Sequence, residues 1–243
     1  MPAPDDPRHP FNLGQARFQE GDLEGAETAF REALALDPDH AEALFGCGMC
    51  REARGRSADA EAAYRRAAAA RPDFPQALNN LAAVLTRTDR PAEAVEVLDG
   101  LLARRPEFQE ARFNRGTAYY ALRRLTEAES DFRHILERQP VHAGALNELG
   151  RVMLKQTRVR EAAELFREGH RRHAEDPRFL ANLAGALERL NDLPGAEAAV
   201  EKALTLDPQG PALLYMRACL AHRLGRFAEA RGHLDDMLSK ELS

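Results

Sequence analysis

Three small groups of residues could in principle do chemistry. Cys47 and Cys50 form a C-x-x-C. Two thiols at that spacing serve as a redox dithiol or as half of a zinc site. The first use needs a helix N-terminus to lower a thiol pKa, and the second needs two more ligands. No second pair follows in the chain. His170 and His173 stand one helical turn apart and could grip a metal, but Arg171 and Arg172 between them oppose a cation. Ser–His and His–Asp pairs exist without motif spacing. No Gly-x-Ser-x-Gly, P-loop or dinucleotide fingerprint occurs. The expectation is a protein with no catalytic centre, no cofactor and no metal.

The elements that must position these residues announce themselves by a period. Alanine recurs every 34 residues, at Ala26, Ala60, Ala94, Ala128, Ala162, Ala196 and Ala230. A small residue at fixed spacing marks a place where two helices approach closely, and seven in phase mean seven copies of one supersecondary unit. Twelve residues earlier stands glycine or alanine: Gly14, Gly48, Ala82, Gly116, Gly150, Ala184 and Ala218. Four residues later stands a large apolar residue: Phe30, Tyr64, Leu98, Phe132, Phe166, Val200 and Leu234. Twelve residues later comes Pro38, Pro72, Pro106, Pro140 and Pro208, with Ala174 the one lapse.

These offsets resemble the tetratricopeptide repeat: a small residue at position eight, Ala at twenty, an aromatic near twenty-four and Pro at thirty-two. The resemblance covers residues 7–243. It implies an all-α fold, a right-handed superhelical solenoid of seven helix-turn-helix hairpins at 7–40, 41–74, 75–108, 109–142, 143–176, 177–210 and 211–243. In the second repeat, helix A should run from about Ala41 to Arg54 and helix B from about Ser57 to Ala70. Gly21, Gly55 and Gly225 fall at the A-to-B turn, where a residue tolerant of positive φ ends a helix, and Asp89 and Asn191 fill the same slot. Pro91 sits in a first helical turn, where its missing N–H costs nothing. Arg17 and Arg51 at position eleven, and Arg115 and Arg217 at position seven, depart from the family's large apolar residues. Their stems can pack while their heads reach water.

The resemblance also assigns faces, with the A helices lining a concave groove and the B helices an outer wall. Three groove features follow. Phe11, Phe18, Phe45 and Met49 gather as an apolar patch, with Phe113 and Tyr120 on the same face of the fourth repeat. Asn12, Asn80, Asn114 and Asn182 form a ladder of amides able to donate to and accept from a peptide backbone, similar to that in the repeat arm of O-linked GlcNAc transferases. Arg87, Arg151, Lys155, Arg189 and Arg223 make the carboxy-terminal half of the groove basic, diluted by Glu148 and Glu188. The expected partner is a protein or extended peptide, apolar at one end and acidic at the other. The family's clamp for a chaperone's terminal carboxylate is missing: its five positions hold Phe11, Gln15, Gly46, Gln76 and Asn80 in the first three repeats. The phasing puts Cys47 and Cys50 in mid helix as core residues, and the two histidines near a helix C-terminus, where a cationic ring would favour the dipole.

Bulk properties agree with an interaction protein. Charged residues are 30% and aromatics 6% with no Trp, suiting units that bury only their neighbours. The net charge of −5 argues against a nucleic-acid binder. No stretch approaches the ~18 apolar residues of a membrane span. Three cysteines make no disulfide framework, and the opening Met-Pro-Ala-Pro-Asp-Asp reads as a disordered lead over residues 1–6, not a secretory signal. The reading is a cytoplasmic, non-catalytic binding scaffold. The alternative is the recognition arm of an enzyme system such as a GlcNAc transferase-like glycosyltransferase. An assembly factor for a surface organelle would need an export or lipidation signal that this N-terminus lacks. Leu234, Met237, Leu238 and Leu242 exceed what one helix face needs for packing, which predicts homo-oligomerisation through the C-terminal edge.

Overall fold

The computed structural model describes residues 7–241, with side chains as far as residue 235. The expected lead over 1–6, Leu242, and the side chains of Met237 and Leu238 lie outside the described residues. Among those residues every regular element is an α-helix, and the fold is an all-α helical repeat of the solenoid class. The A helices are α1 (Arg8–Gln19), α3 (Ala41–Ala53), α5 (Pro75–Arg87), α7 (Gln109–Ala121), α9 (Ala143–Lys155), α11 (Pro177–Arg189) and α13 (Pro211–Arg223). The B helices are α2 (Leu23–Leu36), α4 (Ser57–Ala70), α6 (Pro91–Arg104), α8 (Leu125–Arg138), α10 (Val159–Arg172), α12 (Leu193–Leu206) and α14 (Phe227–Glu241). Contacts divide the chain into two units, Met1–Arg124 with α1 to α7, and Leu125–Ser243 with α8 to α14. Within each, consecutive helices pack as antiparallel neighbours, and each hairpin leans on the next.

Helix ends follow from local chemistry. Each A helix closes with a Schellman motif, in which the N–H of the second residue beyond the cap reaches back five residues. Asp22 donates to the Arg17 carbonyl at 2.9 Å, Arg90 to Leu85 at 2.8 Å and Arg158 to Met153 at 2.9 Å. That geometry forces the intervening residue into the left-handed region. Gly21 (φ 83°), Gly55 (74°), Asp89 (61°), Asn191 (62°) and Gly225 (79°) fill the slot as the sequence indicates. Arg123 (62°) and Thr157 (64°) fill it against their own preference. The B helices start by one of two devices. Asp22 and Asp192 cap them by accepting from the N–H of Gly25 and Gly195 at 2.9 and 3.0 Å. Where Arg replaces that Asp, no side chain caps the N–H groups of α4, α6 or α10. The Arg pairs instead with an acid three residues on, as in Arg56–Asp59, Arg90–Glu93, Arg158–Glu161 and also Arg226–Glu229.

The phased alanines are all buried in the helix–helix contact. Opposite lies the small residue twelve positions earlier, and the structure shows why it must be small. A methyl built on Gly14 would come within 2.7 Å of the Phe30 ring, and methyls on Gly48 and Gly150 closer still to Tyr64 and Phe166. Glycine at position eight accompanies an aromatic at twenty-four, also in the pair Gly116 and Phe132, whereas Ala82, Ala184 and Ala218 accompany Leu98, Val200 and Leu234. Ring and backbone therefore share a fixed volume.

Candidate functional site

The A-helix face of the first unit carries the expected apolar group. Phe11 lies half-buried in α1, its ring 5.8 Å from Phe30 and 4.9 Å from the His40 imidazole. Phe18, two turns on, rests on the core cluster of Ala26, Phe30, Cys47 and Cys50. In α3, Phe45 sits between Tyr64 at 5.5 Å and Phe74 at 5.1 Å, with half-buried Met49 one turn beyond. One side of each ring is thus part of the hairpin packing, and the other remains open. Phe113 and Tyr120 in α7 are half-buried in the same way.

The asparagines split into two kinds. Asn12 is exposed. Asn80 donates to the Tyr64 hydroxyl at 3.4 Å, and that hydroxyl donates to Glu52 at 2.6 Å. Burial, then the Glu52 carboxylate, push the Tyr64 pKa far up, so the phenol stays a donor. Asn114 donates to Asn79 at 2.8 Å, and in the second unit Asn182 donates to Asn147 at 2.6 Å, both across a 35-residue offset. Asn114 and Asn182 are therefore first ties between successive A helices, and Asn80 ties α5 to the preceding B helix. Each amide keeps one N–H and its carbonyl for anything further.

The basic positions carry ties of the same offset. Arg87 meets Glu52 at 3.0 Å, Arg189 donates to the Leu154 carbonyl at 3.2 Å, and Arg223 pairs with Glu188. Arg151 pairs within α9 with Glu148 at 2.7 Å, and Lys155 is exposed at the end of that helix.

A second set of ties was not visible from the family's positions. Glu27, 2% exposed, accepts from Arg31, from Arg51 at 2.9 Å, from Arg54 at 3.1 Å and from Arg56 at 3.4 Å. Burial pushes its pKa up, but the Arg51 hydrogen bond and the charges of Arg31, Arg51 and Arg56 outweigh it and hold the carboxylate low. The same seam, position twenty-one to position sixteen of the next repeat, recurs as Glu61–Arg90 at 2.7 Å, Glu129–Arg158 at 2.8 Å and Glu197–Arg226. Its signal in the sequence is an acid and an arginine 29 residues apart.

The candidates for chemistry resolve into packing. Cys47 and Cys50 are buried mid-helix, and burial raises both thiol pKa values, that of Cys50 to about 11. His173 caps α10, its Nε2 2.6 Å from the Val141 carbonyl and its ring stacked on Phe179. His170 differs from the expected cationic ring: burial, then Lys202, lowers its pKa and favours the neutral form. Among the described residues no cluster could hold a metal ion, and no helix is long and apolar enough to cross a membrane.

Paired helices tied by buried side chains, with variable residues on one face, define a helical-repeat scaffold for protein interaction. The tetratricopeptide repeat family model matches residues 11–75, 51–107, 81–143, 113–169, 147–211 and 196–241, and the chain belongs to that family. A tetratricopeptide repeat protein from Parabacteroides merdae is 21% identical, with 96% of this chain and 92% of that one covered at a TM-score of 0.81. PilW, a type IV pilus biogenesis factor, is 21% identical over 85% of this chain and 96% of that one, with a TM-score of 0.78. Cut9, solved with Hcn1 from the APC/C, is 16% identical over 90% of this chain and 43% of that one, with a TM-score of 0.75. These likenesses are of fold. No curated protein matches the chain.

Proposed function

We propose that this protein is a non-catalytic scaffold that holds an extended protein segment against its A-helix faces. In the first unit, apolar side chains of the segment lie on Phe11, Phe18, Phe45 and Met49, with Phe113 and Tyr120 beyond. Its peptide groups use the remaining capacity of Asn12, Asn80 and Asn114, and in the second unit that of Asn182. Carboxylates of the segment meet Arg151, Lys155 and Arg189 there. The observation that carries the reading is the set of half-buried aromatic and thioether side chains at A-helix positions where most other repeats hold small or polar residues. An incoming carboxylate must compete with Glu148 for Arg151, so binding is expected to be modest and weakened by salt. This reading expects a cytoplasmic protein, which fractionation of the source cells checks.

The test is recovery of partners from source cells on the immobilised chain. Replacing Arg151, Lys155 and Arg189 together by Glu should lower recovery about tenfold, a loss of about 1.4 kcal/mol. Replacing exposed Lys202 on α12 by Glu should leave recovery unchanged. Equal recovery by the triple variant, or equal loss from the α12 change, would sink the proposal.

A further inference from the structure

Among the described residues, the first and last hairpins each leave open half of the contact that neighbouring hairpins make inside a unit. At position twenty-four, the six earlier repeats bury their residue to 1% exposure or less, whereas Leu234 is 40% exposed. At position seven, Cys47, Leu81, Leu149 and Leu183 are buried, whereas Leu13 is 38% exposed. Cys47 shows what that position does, since it packs with Ala26, Phe30 and Ala33 of the preceding hairpin. Leu13 and Leu234 are thus the two missing halves of one kind of interface. A cleft of about 720 Å³ opens beside Leu234 between α13 and α14, lined also by Tyr215, Cys219 and Phe227.

The charges around these two faces repeat the Glu27 cluster with its signs exchanged. Position twenty-one is Glu27 in the first repeat and Arg231 in the last. Position twenty-five is Arg31, paired with Glu27, in the first and Asp235, 3.8 Å from Arg231, in the last. Positions fourteen and sixteen of the second repeat are Arg54 and Arg56, which reach Glu27; in the first repeat they are Glu20 and Asp22. Only position eleven keeps its sign, as Arg51 and Arg17, and Arg17 is turned to the Gly25 carbonyl at 3.2 Å. Arg231 is 85% exposed.

We propose that the occupant of the α14 face is the α1 face of a second copy of this chain. Leu234 of one copy packs by Leu13 of the next, and Arg231 meets Glu20 and Asp22 in the place where Glu27 meets Arg54 and Arg56. The contact is head-to-tail, so each copy offers one face of either kind and the assembly extends beyond a dimer. Exchanged signs also keep the association in register. An internal seam presents an acid to arginines and an edge presents an arginine to acids, so a cross-pairing juxtaposes like charges. The inference uses the two edges and stands apart from the A-helix face proposed above.

Sedimentation velocity on the full chain over a concentration series tests it. Wild type should show a ladder of dimer and longer species that shrinks at high salt. Leu13→Glu and Leu234→Glu should each be monomeric, and their equimolar mixture should form a dimer and nothing longer, because each variant retains the face the other lacks. Arg231→Glu should weaken association about tenfold, and Glu20→Arg in the same chain should recover it, on the scale of interface charge pairs. These two residues lie at the surface, so that arm remains readable if an apolar-to-Glu variant does not fold. A wild type that stays monomeric overturns the inference. So does association that survives Leu13→Glu, which would mean a two-fold contact between α14 faces. Failure of the mixture to dimerise, or of Glu20→Arg to restore association, overturns it as well.

Discussion

At the scale of single residues, the constraint that recurs from repeat to repeat is the shared volume of position eight and position twenty-four. Tyr64 is fully buried, with its hydroxyl fixed between Glu52 and Asn80 and its ring against the Gly48 backbone. Gly48→Ala should cost about 1–3 kcal/mol by overpacking. In a Tyr64→Leu background, which reproduces the pairing of Ala82 with Leu98, the same change should be near neutral. Urea denaturation of the four variants measures the coupling. The left-handed slot gives a change of opposite sign. Thr157 is β-branched at φ 64°, so Thr157→Gly should stabilise by about 1 kcal/mol, read as a rise in the denaturation midpoint with unchanged slope. The sequence showed this slot where glycine, Asp89 or Asn191 occupied it, because those residues favour the conformation themselves. It did not show it at Arg123 and Thr157, where the next residue's N–H, bonded five residues back, imposes the conformation on unwilling residues.

At the scale of elements, helices are held to helices by polar ties as well as by packing. Glu27 is the best-buried acid of the Glu–Arg seam, so Glu27→Gln should destabilise by about 2 kcal/mol. That lies below the 3–5 kcal/mol of a fully enclosed pair because Arg54 and Arg56 reach solvent. The same carboxylate sets a pH dependence. Its folded pKa lies below its unfolded one, so its contribution is complete above the ordinary Glu value of about 4.3 and is lost as pH falls through the lower folded value. Stability measured from pH 6 downward should therefore fall more steeply in wild type than in Glu27→Gln. Helix boundaries were legible to within a residue, since α3 ends at Ala53 and α4 spans Ser57–Ala70. The cross-helix ties were not. An offset of 29 or 35 residues has no helical periodicity behind it, and only folded neighbours reveal that Asn114 answers Asn79 or that Arg90 answers Glu61. This is why the asparagine ladder, read along the sequence, looked wholly available for a ligand.

At the scale of the whole molecule, stability in a repeat array is close to a sum of unit and nearest-neighbour terms. The terms here are unequal. The 1–2, 2–3, 4–5 and 6–7 junctions each carry the Glu–Arg seam, while Val95 opposite Arg124 and Ala163 opposite Asp192 leave the other two without it. Amide hydrogen exchange should accordingly be slower in α3 and α4, between two seam junctions, than in α11, which follows a junction lacking one.

The matching of ring to glycine has a consequence for how such a chain can be lengthened, shortened or recombined. Excising 41–74 removes one whole repeat, keeps every surviving glycine with its own aromatic, and brings Glu27 to Arg90 in place of Arg56. Excising 57–90 removes the same 34 residues but weds Gly48 to Leu98, leaving a void where the Tyr64 ring had been. The first product should stay well ordered, and the second should lose about 1–3 kcal/mol to the cavity. A crossover at the turn inside a hairpin thus parts a glycine from its own ring in the same hairpin. One between hairpins touches only the boundary contacts such as Gly46 on Phe30 and Gly169 on Phe179, so the better heritable module is the matched pair of helices and not the single helix.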